Sequence, residues 1–144
     1  MPDNKLRTHH PMNNPKVKKI FIVDDDPVWT ELLSQLLNDL GYTNIMRFSS
    51  GEECINYLHI APSIIFLDYE MQRMNGIEVL KQVRQYVPHS AVVFCTAHEN
   101  IELAVDAMKA GSFDYLRKSR CSLDEVAAII NEVGDSGILE GRIY

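Results

Sequence analysis

Asp24, Asp25 and Asp26 stand in a row directly behind the apolar run Ile20-Phe21-Ile22-Val23, and a second apolar run, Ile65-Phe66-Leu67, ends at Asp68. Both runs have the length and composition of buried strands, so two strands deliver carboxylates to one edge of a sheet. In an open α/β sheet, ligands bind in the crevice beyond the carboxyl ends of the strands, and there Asp24, Asp25 and Asp68 would converge. Carboxylates brought that close repel one another unless a proton or a cation intervenes. A hard divalent ion with oxygen ligands answers the repulsion; Mg2+, which keeps several waters and takes one or two carboxylates, suits a cluster this small. Two more strand ends add to the set: Cys95-Thr96-Ala97 brings a hydroxyl, and Tyr115-Leu116-Arg117-Lys118 brings an ammonium group. Three carboxylates, a hydroxyl and a lysine make a coherent set for phosphoryl transfer. Metal and lysine neutralise the equatorial oxygens, the hydroxyl hydrogen-bonds one of them, and a carboxylate attacks phosphorus. No His or Cys nucleophile competes for the role.

The elements that must position these groups are legible as an alternation. Ile20–Val23, Ile45–Phe48, Ile64–Leu67, Ala91–Cys95 and Phe113–Leu116 read as strands, each followed by a helix-like segment. Gly41 and Gly111 stand where helix C-termini need positive φ, and Ser50-x-x-Glu53 and Ser122-x-x-Glu125 read as capping boxes. Asp26 before Pro27 is better explained as the N-cap of the first helix, with proline at N1, than as a metal ligand. Five β-α units imply a parallel sheet with right-handed crossovers and helices on both faces, and nearly all-apolar strands are what two-sided burial demands. The fold class is a doubly wound α/β sandwich. Ile101, Ala104, Val105 and Met108 form one helical stripe, and Leu123, Val126, Ala127 and Ile130 another; both are expected to face the core. Leu103, Ala107, Ile129 and Val133 then fall off the stripes and hint at a partner surface. Residues 1–16 read as a flexible tail, 17–134 as one domain, and 135–144, with Gly137 and Gly141, as a tail or linker stub.

Composition removes several classes. With 46% apolar and 24% charged residues, the 144-residue chain is an ordinary one-domain globular sequence. Its net charge of −6 and lack of a long Lys/Arg block argue against direct nucleic-acid contact. Cys54, Cys95 and Cys121 have no metal-ligand spacing and lie in or beside apolar segments, as reduced thiols do. No run approaches a membrane span and the N-terminus lacks the apolar core of a secretory signal, so the expected location is cytoplasmic.

From about Lys18 to Val133 the chain resembles the response-regulator receiver domain of two-component signalling. The likeness rests on Ile22-Val23-Asp24-Asp25-Asp26, on Leu67-Asp68-Tyr69-Glu70-Met71-Gln72-Arg73-Met74-Asn75-Gly76, and on Thr96, Tyr115 and Lys118 in the right order. It implies a flavodoxin-like five-stranded sheet of order 2-1-3-4-5, with Asp68 as phosphoacceptor. Asp24, Asp25, Asp68 and the backbone carbonyl of Glu70 are implied as the Mg2+ site, Thr96 and Tyr115 as the switch pair, and Lys118 as the phosphoryl-contacting lysine. Glu70, Ala97 and His98 are implied to flank the phosphoryl group. The implied partners are a histidine kinase or phosphotransfer protein and a downstream target on the face of helix 4, strand 5 and helix 5, where a homodimer is also left open.

Two residues depart from the family pattern. Gln72 replaces a usual proline and releases a fixed φ. Ser119 stands where a proline usually follows the lysine in a cis peptide, and a non-prolyl cis bond costs ~2.5–4 kcal/mol; either strain is stored there or the loop runs trans and moves Lys118. These departures keep a non-phosphorylated pseudo-receiver open. Asp24-x-Asp26 also formally matches the nucleophile motif of haloacid-dehalogenase-type phosphatases. Pro27, the lack of a late acidic pair after Lys118 and the lack of a cap domain oppose that reading.

Overall fold

The structure, a computed structural model, describes residues 13–97 and 101–141. Strands β1 (Ile20–Val23), β2 (Ile45–Phe48), β3 (Ile64–Asp68), β4 (Ala91–Thr96) and β5 (Asp114–Arg117) pair in parallel in the order β2-β1-β3-β4-β5. Helices α1 (Pro27–Asp39), α2 (Gly51–Ile55), α3 (Gly76–Tyr86), α4 (Ile101–Lys109) and α5 (Leu123–Ser136) cover both faces, as the alternation requires. Every residue of β1, β3 and β4 is buried. Ile20, Ile22, Phe66 and Val93 pack with Leu33 and Leu37 of α1 and Val126 and Ile130 of α5; Phe21, Leu67, Val92 and Phe94 pack with Val79, Leu80 and Val83 of α3. One strand face therefore feeds each of two cores, and polar residues enter these strands only at their ends, as Asp68 and Thr96.

The punctuation works as the residue types dictate. Gly41 and Gly111 adopt φ of 96° and 102°. Asp26 Oδ1 accepts the Val28 N–H at 3.0 Å with Pro27 opening α1, so its carboxylate is used as a cap. Ser50 Oγ accepts from Glu53 N–H and Ser122 Oγ from Glu125 N–H, at 3.1 and 3.2 Å. The reciprocal bond of Glu53 goes to the N–H of Ser49, one residue earlier than a capping box has it.

Two expectations need correction. On α4 the core side is the one read as remainder: Ala107 is buried and Leu103 half-buried, whereas Val105 and Met108 are 45% and 49% exposed. The side chain of Ile101 lies outside the described residues. Six of the nine α4 residues are apolar, so two overlapping stripes satisfy the helical period. The sheet takes the side whose small Ala107 and Ala110 pack closely against the cluster containing Val92 and Phe94. On α5, Ile129 and Val133 are core as well, packed with Val126 and Ile130. Described residues on either side of 17–134 also contact the body of the fold. Asn13 Nδ2 donates to the Gly41 carbonyl at 3.0 Å, and the Asn14 N–H donates to the Tyr42 hydroxyl at 2.7 Å. After α5 a 3-10 turn, Ile138–Glu140, tucks Ile138 into the core. Residues 1–12 and 142–144 of the expected tails lie outside the described residues.

Candidate functional site

Register alone brings the acids together. Val23 pairs with Leu67, so the next residues, Asp24 and Asp68, arrive side by side where β1 and β3 end. Asp24 is 4% and Asp68 7% exposed, while Asp25 faces solvent. One carboxylate oxygen from each of Asp24, Asp25 and Asp68 lies within 4.8 Å of the others. The Asp24 N–H donates to the Phe48 carbonyl at 3.0 Å, and its Oδ1 accepts the Asp26 N–H at 2.9 Å, which fixes the carboxylate against the start of α1.

Lys118, at the end of β5, points into this cluster. Its Nζ donates to Asp24 Oδ2 at 2.7 Å and stands 3.7 Å from Asp68 Oδ1. The indole of Trp29 lies beneath it, 5.3 Å from Nζ to the ring centroid. Of the two outcomes left open at Ser119, the structure has the trans loop: no cis peptide occurs among the described residues, and Lys118–Arg120 forms a 3-10 turn. Lys118 keeps its reach into the pocket all the same.

The electrostatics follow from burial. Burial raises the Asp68 carboxyl, Asp24 adds to the rise, Lys118 and the Glu70 N–H oppose it, and Asp25 adds a little more; the result is about 7. The Glu70 N–H donates to Asp68 Oδ1 at 3.3 Å. Burial pulls the Lys118 ammonium down, but its bond to Asp24 and the charges of Asp68 and Asp24 outweigh this and leave it above its ordinary value. Burial beside Asp24 therefore disfavours charge on Asp68, and a cation among the three carboxylates would offset that cost. Oxygen donors alone, in a small cluster beside an open groove of about 580 Å³ lined by Asp25, Pro27, Glu31 and Arg47, fit a hard divalent ion.

Thr96 ends β4 and is 2% exposed. Phe94 pairs with Tyr115, and Thr96, two residues on, shares its face of the sheet, so Thr96 and Tyr115 are diagonal neighbours. Tyr115 is half-buried against the α3 and α4 side of the core. Ala97 is exposed directly after Thr96. His98 lies outside the described residues.

Two features beside the site were given no role in the sequence reading. The loop from Tyr69 to Asn75 carries Arg73 at φ 49°, one residue after Gln72, a left-handed conformation that non-glycine residues seldom take. The loop closes on a full capping box, Asn75 with Glu78. Gly76 follows: a Cβ there would lie 2.5 Å from Phe94 Cε1 and 2.9 Å from the Asp68 carbonyl oxygen, so only glycine lets α3 begin against the end of β3. Asn75-x-x-Glu78 was a readable signal. The other missed residue, Trp29, carries none beyond being the single tryptophan.

Comparison with known proteins agrees with this arrangement. Residues 20–131 match the family described as "Response regulator receiver domain". The chain is 35% identical over 112 residues to the DNA-binding transcriptional regulator NtrC of Klebsiella pneumoniae, an alignment covering 77% of this chain and 24% of that protein. It is 28% identical over 102 residues to the chemotaxis protein CheY of Thermotoga maritima, covering 70% of this chain and 85% of the relative. It thus spans about a quarter of the NtrC-type relatives. Among solved structures, a response regulator receiver domain protein from Clostridium thermocellum superposes with a TM-score of 0.76 at 26% identity, covering 85% of this chain and 98% of the other. The receiver domain of NtrX from Brucella abortus gives 0.76 at 26% identity, with 82% and 99% covered.

Proposed function

The chain belongs to the response regulator receiver domain family, and from that premise we propose that it is a phosphoacceptor switch loaded at Asp68. The observation that carries the reading is the meeting of Asp24, Asp25 and Asp68 within 4.8 Å with Lys118 Nζ among them. A carboxylate oxygen of Asp68 attacks the phosphorus of a phosphohistidine donor; the P–N bond breaks, and the imidazole leaves with its electron pair and takes up a proton. Asp24, Asp25, Asp68 and the Glu70 carbonyl would hold Mg2+, which when bound would supply charge neutralisation for the phosphoryl oxygens. Lys118 supplies the second positive charge, and the neighbouring Glu70 and Ala97 border the space left for water to attack the aspartyl phosphate. Thr96 hydrogen-bonds a phosphoryl oxygen and thereby frees Tyr115 to change rotamer.

The readout face is that of α4, β5 and α5. Exposed Val105 and Met108 support a protein target there, and the same face serves a second copy if the chain dimerises. We further propose that the donor is a histidine kinase or phosphotransfer protein and that the chain works in the cytoplasm without touching nucleic acid itself. Its net charge of −6 supports the last point. Among the described residues, no helix is long and apolar enough to cross a membrane.

Intact mass after incubation with phosphoramidate and Mg2+ tests the reading. One phosphoryl adduct is expected on the wild type and none on Asp68→Asn or in chelator. A folded wild type that takes no adduct would instead be a pseudo-receiver, and an adduct surviving in Asp68→Asn would move the nucleophile elsewhere.

A further inference from the structure

We infer that Trp29 is a positioning residue for Lys118, its indole face keeping the ammonium inside the carboxylate pocket between Asp24 and Asp68. This deepens the phosphoacceptor reading and depends on it only for its kinetic consequence. Trp29 is the third residue of α1 and 5% exposed, and its ring centroid lies 5.3 Å from Lys118 Nζ. That Nζ is 2.7 Å from Asp24 Oδ2 and 3.7 Å from Asp68 Oδ1, so the ammonium is bounded by two carboxylates and one aromatic face.

The ring is placed by the turn that places Asp24. Asp26 caps α1 through its side chain, Pro27 fixes the first helical residue, and the Asp26 N–H holds Asp24 Oδ1. Trp29 and Asp24 are therefore positioned by one turn, and Lys118 approaches both from the edge strand of the sheet, 94 residues after Asp24.

An aromatic face suits a cation that must change partners. The short bond to Asp24 occupies a carboxylate that a metal ion also needs, so loading the site requires Lys118 to give up Asp24 for the Asp68 side. A carboxylate holds an ammonium at one point, whereas the ring quadrupole attracts it over the whole face. The indole thus retains Lys118 while its ion-pair partner is exchanged. An aliphatic side chain would fill the same core position and leave the ammonium free to turn to solvent.

Two measurements on the full chain decide the point. Trp29 is the sole indole, so its metal-free emission reports its surroundings unmixed, and Lys118→Met is expected to shift that emission. In the adduct assay with phosphoramidate and Mg2+, Trp29→Leu should slow phosphoryl uptake about 3- to 10-fold and Trp29→Phe about 2- to 3-fold. Trp29→Leu should change the rate no further in a Lys118→Met background. If Trp29→Leu fails to fold, Trp29→Phe carries the rate comparison. Identical emission in wild type and Lys118→Met, an unchanged uptake rate in the folded Trp29 variant, or an equal slowing without Lys118 would overturn the inference. A wild type that takes no phosphoryl group would remove the phosphoacceptor reading and leave the emission comparison to decide the Trp29 contact alone.

Discussion

At the residue scale the governing fact is that Asp68 is held against its own ionisation. Its carboxyl is raised from 3.8 to about 7, first by burial and then by Asp24. Between pH 4 and 7 the folded chain keeps a proton that the unfolded chain has lost, so this group lowers stability as pH rises through that window and exerts its full penalty above it. In chelator, Asp68→Asn should gain over wild type across pH 4 to 7 and hold an advantage of about 1–3 kcal/mol at pH 8, a range reduced for solvent screening at the pocket mouth. Urea unfolding at both pH values checks this; a gap that does not widen with pH would count against it, and Mg2+ given to the wild type should narrow it. The acids were legible in the sequence because carboxylates behind apolar strands have few structural uses. The placement of Lys118 over Trp29 was not, since a ring face in the first helix and an ammonium after the fifth strand share no pattern along the chain.

At the scale of elements, the all-apolar strands identified themselves, because two-sided burial leaves no polar alternation to confuse with another element. Helix α4 did not, for the opposite reason: its apolar residues surround too much of the helix for periodicity to choose a face, and close packing on the sheet chose the small one. The junction from β3 to α3 is the element-level counterpart of the site. Gly76 lets the helix start against the Asp68 carbonyl, and the Asn75 cap only tidies its end. Gly76→Ala should therefore destabilise by about 2–4 kcal/mol, because backbone and Phe94 must both give way, whereas Asn75→Ala should lose about 1 kcal/mol. Denaturant midpoints of the two variants measure the order, and a Gly76→Ala protein as stable as Asn75→Ala would refute the close-approach argument.

For the molecule as a whole, Asn13 and Asn14 act as a clasp that no hydrophobic period announces, since they dock by hydrogen bonds onto Gly41 and Tyr42. Tyr42→Phe should lower stability by about 1 kcal/mol in the full chain and by nothing further in a chain begun at Val17, where the donor is gone. Thermal melts of the four proteins supply the cycle, and equal losses in both backgrounds would show that the hydroxyl serves some other contact. The parallel sheet adds a larger-scale constraint. β3 is its middle strand, flanked by β1 and β4, and the pocket at its tip is completed by a lysine from the fifth strand. During synthesis, a nascent chain can display Asp24, Asp25 and Asp68 long before Lys118 leaves the ribosome. Until Lys118 has been made, that unfinished polypeptide carries acids without the ammonium group that meets them in the pocket, so the site is assembled only once the fifth strand has joined the sheet.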